Sequence, residues 1–170
     1  MIEMKVMGIA LDVRTNSPIV VLNDLDNRKA LPIWIGSAEA SAIIRCIEGL
    51  TAARPMTHDL LANIINKTGY TLEKVEINDI EKETYYATLF LISKSGETLE
   101  IDARPSDAIA VAMRAEAPIF VTANVLMSGS VSTDSAKDEE EAQEFKNFIQ
   151  NIKPSDFEKL MKDKHQENDQ

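Results

Sequence analysis

Two Ala-Arg-Pro tripeptides, at residues 53–55 and 103–105, divide the chain at points where neither a helix nor a central strand can run through. Proline fixes its own φ, lacks an N–H and pushes the preceding residue into extended backbone. Each tripeptide is followed by a hydroxyl side chain (Thr57, Ser106), an acid (Asp59, Asp107) and a stretch of helical spacing. They mark two helix starts, with Thr57 and Ser106 read as the caps. The first helix is predicted over 58–67, its apolar stripe being Leu60, Leu61, Ile64 and Ile65, with Gly69 just beyond its end. The second is predicted over 107–116, turning Ile109, Ala110 and Met113 inward.

Strands occupy most of what lies between. Residues 2–13 alternate, 19–22 is a β-branched apolar run, and 29–35 closes a three-strand meander across Asn- and Asp-rich turns. Helical spacing returns at Ala38, Ala42, Ile43 and Ile47. Strands are then expected over 70–80, 84–93 and 98–103, and a short one at 119–121. Strands, helices, strands and a helix in that order predict an α+β domain with a mostly antiparallel sheet packed with helices. Its bounds are read as 1–127, followed by a small, polar linker over 128–138. A C-terminal amphipathic helical tail follows over 139–164, and 165–170 is expected to be disordered. The tail places Ala142, Phe145, Phe148, Ile149 and Ile152 on one stripe.

The net charge of −10 is unevenly spread: residues 1–133 hold 17 acids and 12 bases, residues 134–170 hold 11 acids and 6 bases. Tight, nonspecific nucleic-acid binding draws most of its affinity from Lys and Arg on phosphates, so this balance argues against it. The N-terminus has no continuous apolar stretch of the signal-peptide kind, and no run approaches the ~18 apolar residues of a membrane span. A cytoplasmic protein without membrane attachment is expected. The single cysteine, Cys46, falls in a helical pattern and reads as a small core residue.

A helix N-terminus with free N–H groups and an adjacent Arg attracts anions. If both starts meet in the fold, Arg54, Thr57, Arg104 and Ser106 form a phosphate cradle. Asp102, Asp107, Asp59 and Glu39 are the carboxylates nearby in the pattern, the donor type that a hard cation such as Mg²⁺ or Mn²⁺ takes. His58, the one histidine before the tail, is the candidate for moving protons. Each has a plainer reading: acids in a first helical turn favour the dipole, arginines bridge acids, and a histidine is satisfied by packing. Trp34, at a strand end between Pro32 and Gly36, reads first as packing and second as a surface for stacking a base.

Three stretches carry a resemblance: residues 31–36 (Leu-Pro-Ile-Trp-Ile-Gly) with Glu39-Ala40, residues 54–61 (Arg-Pro-Met-Thr-His-Asp-Leu-Leu), and residues 102–110 (Asp-Ala-Arg-Pro-Ser-Asp-Ala-Ile-Ala). Together they resemble the bifunctional nuclease domain, over about residues 1–130. The resemblance implies an α+β fold and hydrolysis of phosphodiester bonds in DNA and RNA, with nucleic acid as the substrate. On that footing His58, Arg104 and Asp107 are the catalytic candidates, assisted by a divalent cation. The rival expectation is a non-catalytic anion- or protein-binding regulatory module, or a homo-oligomer building block.

Overall fold

The computed structural model describes residues 1–132. Its first three strands, β1 (Ile2–Leu11), β2 (Pro18–Asp24) and β3 (Lys29–Trp34), form the expected antiparallel meander. β2 is buried along its whole length, which its continuous apolar run at 19–22 dictates. The turn after it is fixed by Asp24, whose Oδ1 accepts the N–H groups of Arg28 at 2.7 Å and Lys29 at 2.9 Å. Among the described residues the outer neighbour of β3 pairs with Lys29 and Ala30, and Pro32, which has no N–H to give, lies outside that pairing.

Helices α1 (Ser37–Ile47) and α2 (Thr57–Lys67) follow, then a second meander of β4 (Tyr70–Glu81), β5 (Thr84–Ser93) and β6 (Thr98–Ala103). Lys82 and Glu83 both take positive φ, 47° and 66°, the geometry of the tight turns that match strand twist in a hairpin. α3 (Pro105–Ala115) leads to β7 (Ile119–Val121). This three-residue strand joins the halves of the sheet, running parallel to β4 and antiparallel to β1. Its Ile119 faces Met4 and Val75, and its Val121 faces Ile2 and Ile77. Helix α4 (Ala123–Gly129) and the two-residue β8 (Val131–Ser132) end the described chain, giving the order β6-β5-β4-β7-β1-β2-β3-β8. The architecture is α+β with mostly antiparallel pairing, as expected. α4 packs against both β3 and β4, which three strands separate, so the sheet curls.

α3 lies at the centre of the helical layer, touching α1, α2, β4 and β5. Its run Ala108-Ile109-Ala110-Val111-Ala112 is buried without a break, and its alanines let neighbouring backbones approach closely. Three expectations change here. Most of the stripe on α2 does not face the core: Leu60, Leu61 and Ile64 are 52%, 40% and 48% exposed, Ile65 alone packs half-buried against it, and His58 is the helix's buried residue. Periodicity defines an apolar face but not what covers it, and α3 already occupies the central place. Neither Thr57 nor Ser106 caps its helix, since the N-cap positions belong to Met56 and Arg104. Of residues 128–132, read as the start of a linker, Ser128 and Gly129 belong to α4 and Val131 and Ser132 to β8; the rest of that stretch, the helical tail and the C-terminal end lie outside the described residues. Among the described residues no helix is long and apolar enough to cross a membrane.

Candidate functional site

The starts of α2 and α3 meet. His58, in the first turn of α2, places Nε2 2.9 Å from Oδ1 of Asp107, in the first turn of α3. The other oxygen of Asp107 accepts from Arg104 Nε at 2.7 Å, and Arg104 Nη2 donates to Glu39 Oε1 of α1 at 2.8 Å. One continuous chain, His58–Asp107–Arg104–Glu39, therefore links three helices that are remote in sequence.

Local sequence explains the placement. Pro105 occupies the first helical position, which needs no N–H, and holds Arg104 in extended backbone at φ −68°, ψ 144°. Arg104 and Asp107 are then three residues apart on one helix face. Glu39 reaches back over the start of α1, where a Cβ on Gly36 would run into its carboxylate. Glycine leaves that room without moving the flexible end of Glu39.

The charges are graded by exposure. The His58 side chain is 9% exposed, Glu39 15%, Asp107 28% and Arg104 66%. Burial pushes the Asp107 carboxyl up, but hydrogen bonds from Arg104 and His58 outweigh this and hold it below the ordinary range. Asp107 is thus an ionised acceptor, and Nε2 of His58 carries the proton between them. Nδ1 is the ring nitrogen that Asp107 leaves unengaged. The hydrogen bonds of Arg104 to Asp107 and Glu39 raise its own pKa, so it stays charged, and Nη1 has no partner among the described residues.

Of the other sequence candidates Ser106 stays beside Arg104, and the rest are exposed or engaged elsewhere. Arg54 stands two residues before the N-cap of α2, whereas Arg104 is itself the N-cap of α3. This offset of the two Ala-Arg-Pro tripeptides leaves Arg54 exposed in its loop, where no described residue gives it a hydrogen bond or ion pair. Thr57 is exposed beside it, and Ser106 is buried at 6%. Asp59 turns away from Asp107. Its Oδ2 accepts the Met56 N–H at 2.9 Å and its Oδ1 accepts from Arg114 Nε. Asp102 is exposed on the edge strand β6, opposite Thr88. Among the described residues, no group of three or more His, Cys, Asp or Glu side chains is placed to hold a metal ion. Burial raises Cys46, away from the thiolate form a nucleophile needs.

A profile of the bifunctional nuclease domain matches residues 20–134, a span that contains every member of the His58–Asp107–Arg104–Glu39 chain. The protein belongs to the bifunctional nuclease domain family. An uncharacterized protein of Mycobacterium tuberculosis is 35% identical over 163 residues, covering 91% of this chain and 97% of its own. Bifunctional nuclease 2 of Oryza sativa subsp. japonica is 32% identical over 117 residues, 67% of this chain and 36% of its own. Bifunctional nuclease 1 of Arabidopsis thaliana is 30% identical over 127 residues, 68% of this chain and 39% of its own. The chain therefore spans little more than a third of these plant proteins. In this bifunctional nuclease domain, sequence reasoning missed two features. One is Arg114, whose only local signal is a basic residue in the last turn of α3. The other is a cleft of about 380 Å³ next to Arg104, lined by residues from β3, the β4–β5 turn and the start of α3.

Proposed function

We propose that this domain hydrolyses phosphodiester bonds in DNA or RNA, with the His58–Asp107–Arg104–Glu39 chain as its working site. The observation that carries this reading is the meeting of two helix starts through His58 and Asp107, across 49 residues of sequence. Helix starts favour anions, and Arg104 adds an exposed guanidinium whose Nη1 can donate to a phosphate oxygen. In the proposed step, His58 takes a proton at Nδ1 from the attacking water while Asp107 orients the ring through Nε2. Water adds to phosphorus, the P–O bond to the leaving group breaks, and the leaving oxygen departs with the bonding pair and takes a proton from solvent. Family membership supports the same chemistry, and the plant relatives carry nuclease in their names.

The divalent cation has weaker support from the donor set. Both oxygens of Asp107 are engaged and Arg104 sits between the two carboxylates, so these residues do not make a protein-only Mg²⁺ site. Mg²⁺ and Mn²⁺ are therefore variables of the assay.

The test uses full-length protein from a nuclease-deficient host on single-stranded DNA and RNA, with Mg²⁺, Mn²⁺ or chelator. Asp107→Ala and His58→Ala are each expected to slow cleavage by about 10²–10⁴-fold, the span for losing a positioned proton carrier. Together they lose little more, because they act as a unit. Cleavage unchanged in both would mean the activity belongs elsewhere.

A second reading, the non-catalytic anion- or protein-binding module, draws on the exposed apolar residues Leu60, Leu61 and Ile64 of α2. It is favoured if no cleavage is found while Arg104 still retains phosphate. The same surface supports the self-association expected from the sequence, checked by light scattering of wild type and Leu60→Lys.

A further inference from the structure

Trp34 is the only tryptophan in the chain, and it is not part of the core: 55% of its surface is exposed at the end of β3. Its orientation is nonetheless fixed. Nε1 donates to Asp12 Oδ2 at 3.1 Å, and Asp12 is itself held in the β1–β2 turn, accepting the Arg14 N–H at 2.9 Å on its other oxygen. A large aromatic ring that is both exposed and tethered is prepared for a partner, because stacking on it requires no further ordering.

The cleft that Trp34 lines also holds Tyr85, Gly36, Ser106 and Arg104. Its volume, about 380 Å³, falls within the roughly 300–1,000 Å³ of small-ligand sites. Among its described lining residues Arg104 is the one cation and Glu83, at the hairpin turn, the one acid. An indole and a guanidinium on one small cleft complement a molecule that is aromatic at one end and anionic at the other. Gly36 adds no side chain to this lining, and it also lets Glu39 hold Arg104 in place.

We infer that the Trp34–Arg104 cleft is a nucleobase subsite that receives an unpaired base stacked on Trp34, with the adjoining phosphate on Arg104. The proposal deepens the nuclease reading and rests on it for the phosphate half. A base within a duplex is already stacked on both faces, so such a subsite selects single-stranded nucleic acid or a flipped base.

Because Trp34 is the sole tryptophan, intrinsic fluorescence of the full-length protein reports on this one position. In chelator and low salt, the protein is titrated with a short oligo(dA), an abasic strand of equal length, the matching duplex, and orthophosphate. Oligo(dA) is expected to quench the emission, and the other three to do so much less. By anisotropy of labelled oligo(dA), Trp34→Ala loses about 5- to 150-fold in affinity, the range for one lost base–aromatic stack. Trp34→Phe retains most of the binding, which separates stacking from damage to the fold. Equal quenching by the abasic strand, or equal affinity in Trp34→Ala, overturns the subsite. The nuclease reading has a separate readout: cleavage lost in Asp107→Ala but indifferent to Trp34 keeps that reading and rejects this one. Base-dependent quenching without any cleavage keeps the subsite and rejects the hydrolysis.

Discussion

The two ends of α3 carry comparable ion pairs with opposite duties. At the N-terminal end, Arg104 joins Asp107 of α3 to Glu39 of α1, and His58 of α2 completes the set. At the C-terminal end, Arg114 joins Asp59 of α2 to the carbonyls of Ala42 in α1, at 3.2 Å, and Ala110 in α3, at 2.8 Å. Both sets tie the same three helices, and consecutive residues of α2, His58 and Asp59, divide between them. Arg114 is 10% exposed with its donors spent on protein acceptors, whereas Arg104 is 66% exposed with Nη1 to spare. The same residue type is a rivet where it is enclosed and a ligand-facing group where water reaches it.

The comparison breaks most visibly at Arg114. Arg114→Ala removes the ion pair to Asp59 and a second donor from two helical carbonyls, and is expected to lower stability by about 2 kcal/mol in urea unfolding. The rivet assignment fails if the loss stays within the error of the midpoint. Arg104→Ala should show the reverse pattern. Its stability falls by no more than about 1 kcal/mol, as for exposed pairs. Phosphate or oligonucleotide affinity meanwhile drops about 10- to 100-fold, in line with one charge-assisted hydrogen bond. A large stability loss with unchanged binding would make Arg104 a second rivet.

Smaller effects sharpen the contrast. Gly36→Ala fits the backbone at φ −78° but displaces the end of the Glu39 side chain. It should change stability by less than about 1 kcal/mol and weaken anion binding partway toward Arg104→Ala. Full wild-type binding would show that Glu39 does not position Arg104. The least conspicuous signal is acid sensitivity. Hydrogen bonds from Arg114 and the Met56 N–H hold Asp59 below its ordinary value of 3.8. Its depressed folded value means that its contribution is complete above 3.8 and disappears as pH falls through that lower value. Unfolding midpoints of wild type and Asp59→Asn are thus expected to differ at neutral pH and to converge below 3.8, and a constant offset through acid would contradict the assignment.

Much of the local structure was legible in the chain. Period-2 and period-3.6 patterns located β1 to β7 and α1 to α3, because those repeats are properties of each element alone. α4 and β8 were missed, since Ser128-Gly129-Ser130 carries loop composition while Val125 and Leu126 are anchored by burial. Of the site, the Arg104–Asp107 pair was readable from spacing on one helix. The union of His58 with Asp107 and of Arg104 with Glu39 was not, because it joins residues 49 and 65 positions apart.

By itself, then, the sequence determined where elements start and stop and which residues stand at the helix starts: proline geometry, turn chemistry and periodicity act over a few residues. Only the tertiary structure decided which of those starts share a site. It sent His58 inward and Asp59 to Arg114, left Leu60, Leu61 and Ile64 of α2 exposed, and set Trp34 beside Arg104. Those outcomes depend on which surfaces cover one another when the sheet curls and α3 takes the centre, a competition among distant segments that no short stretch of the chain records.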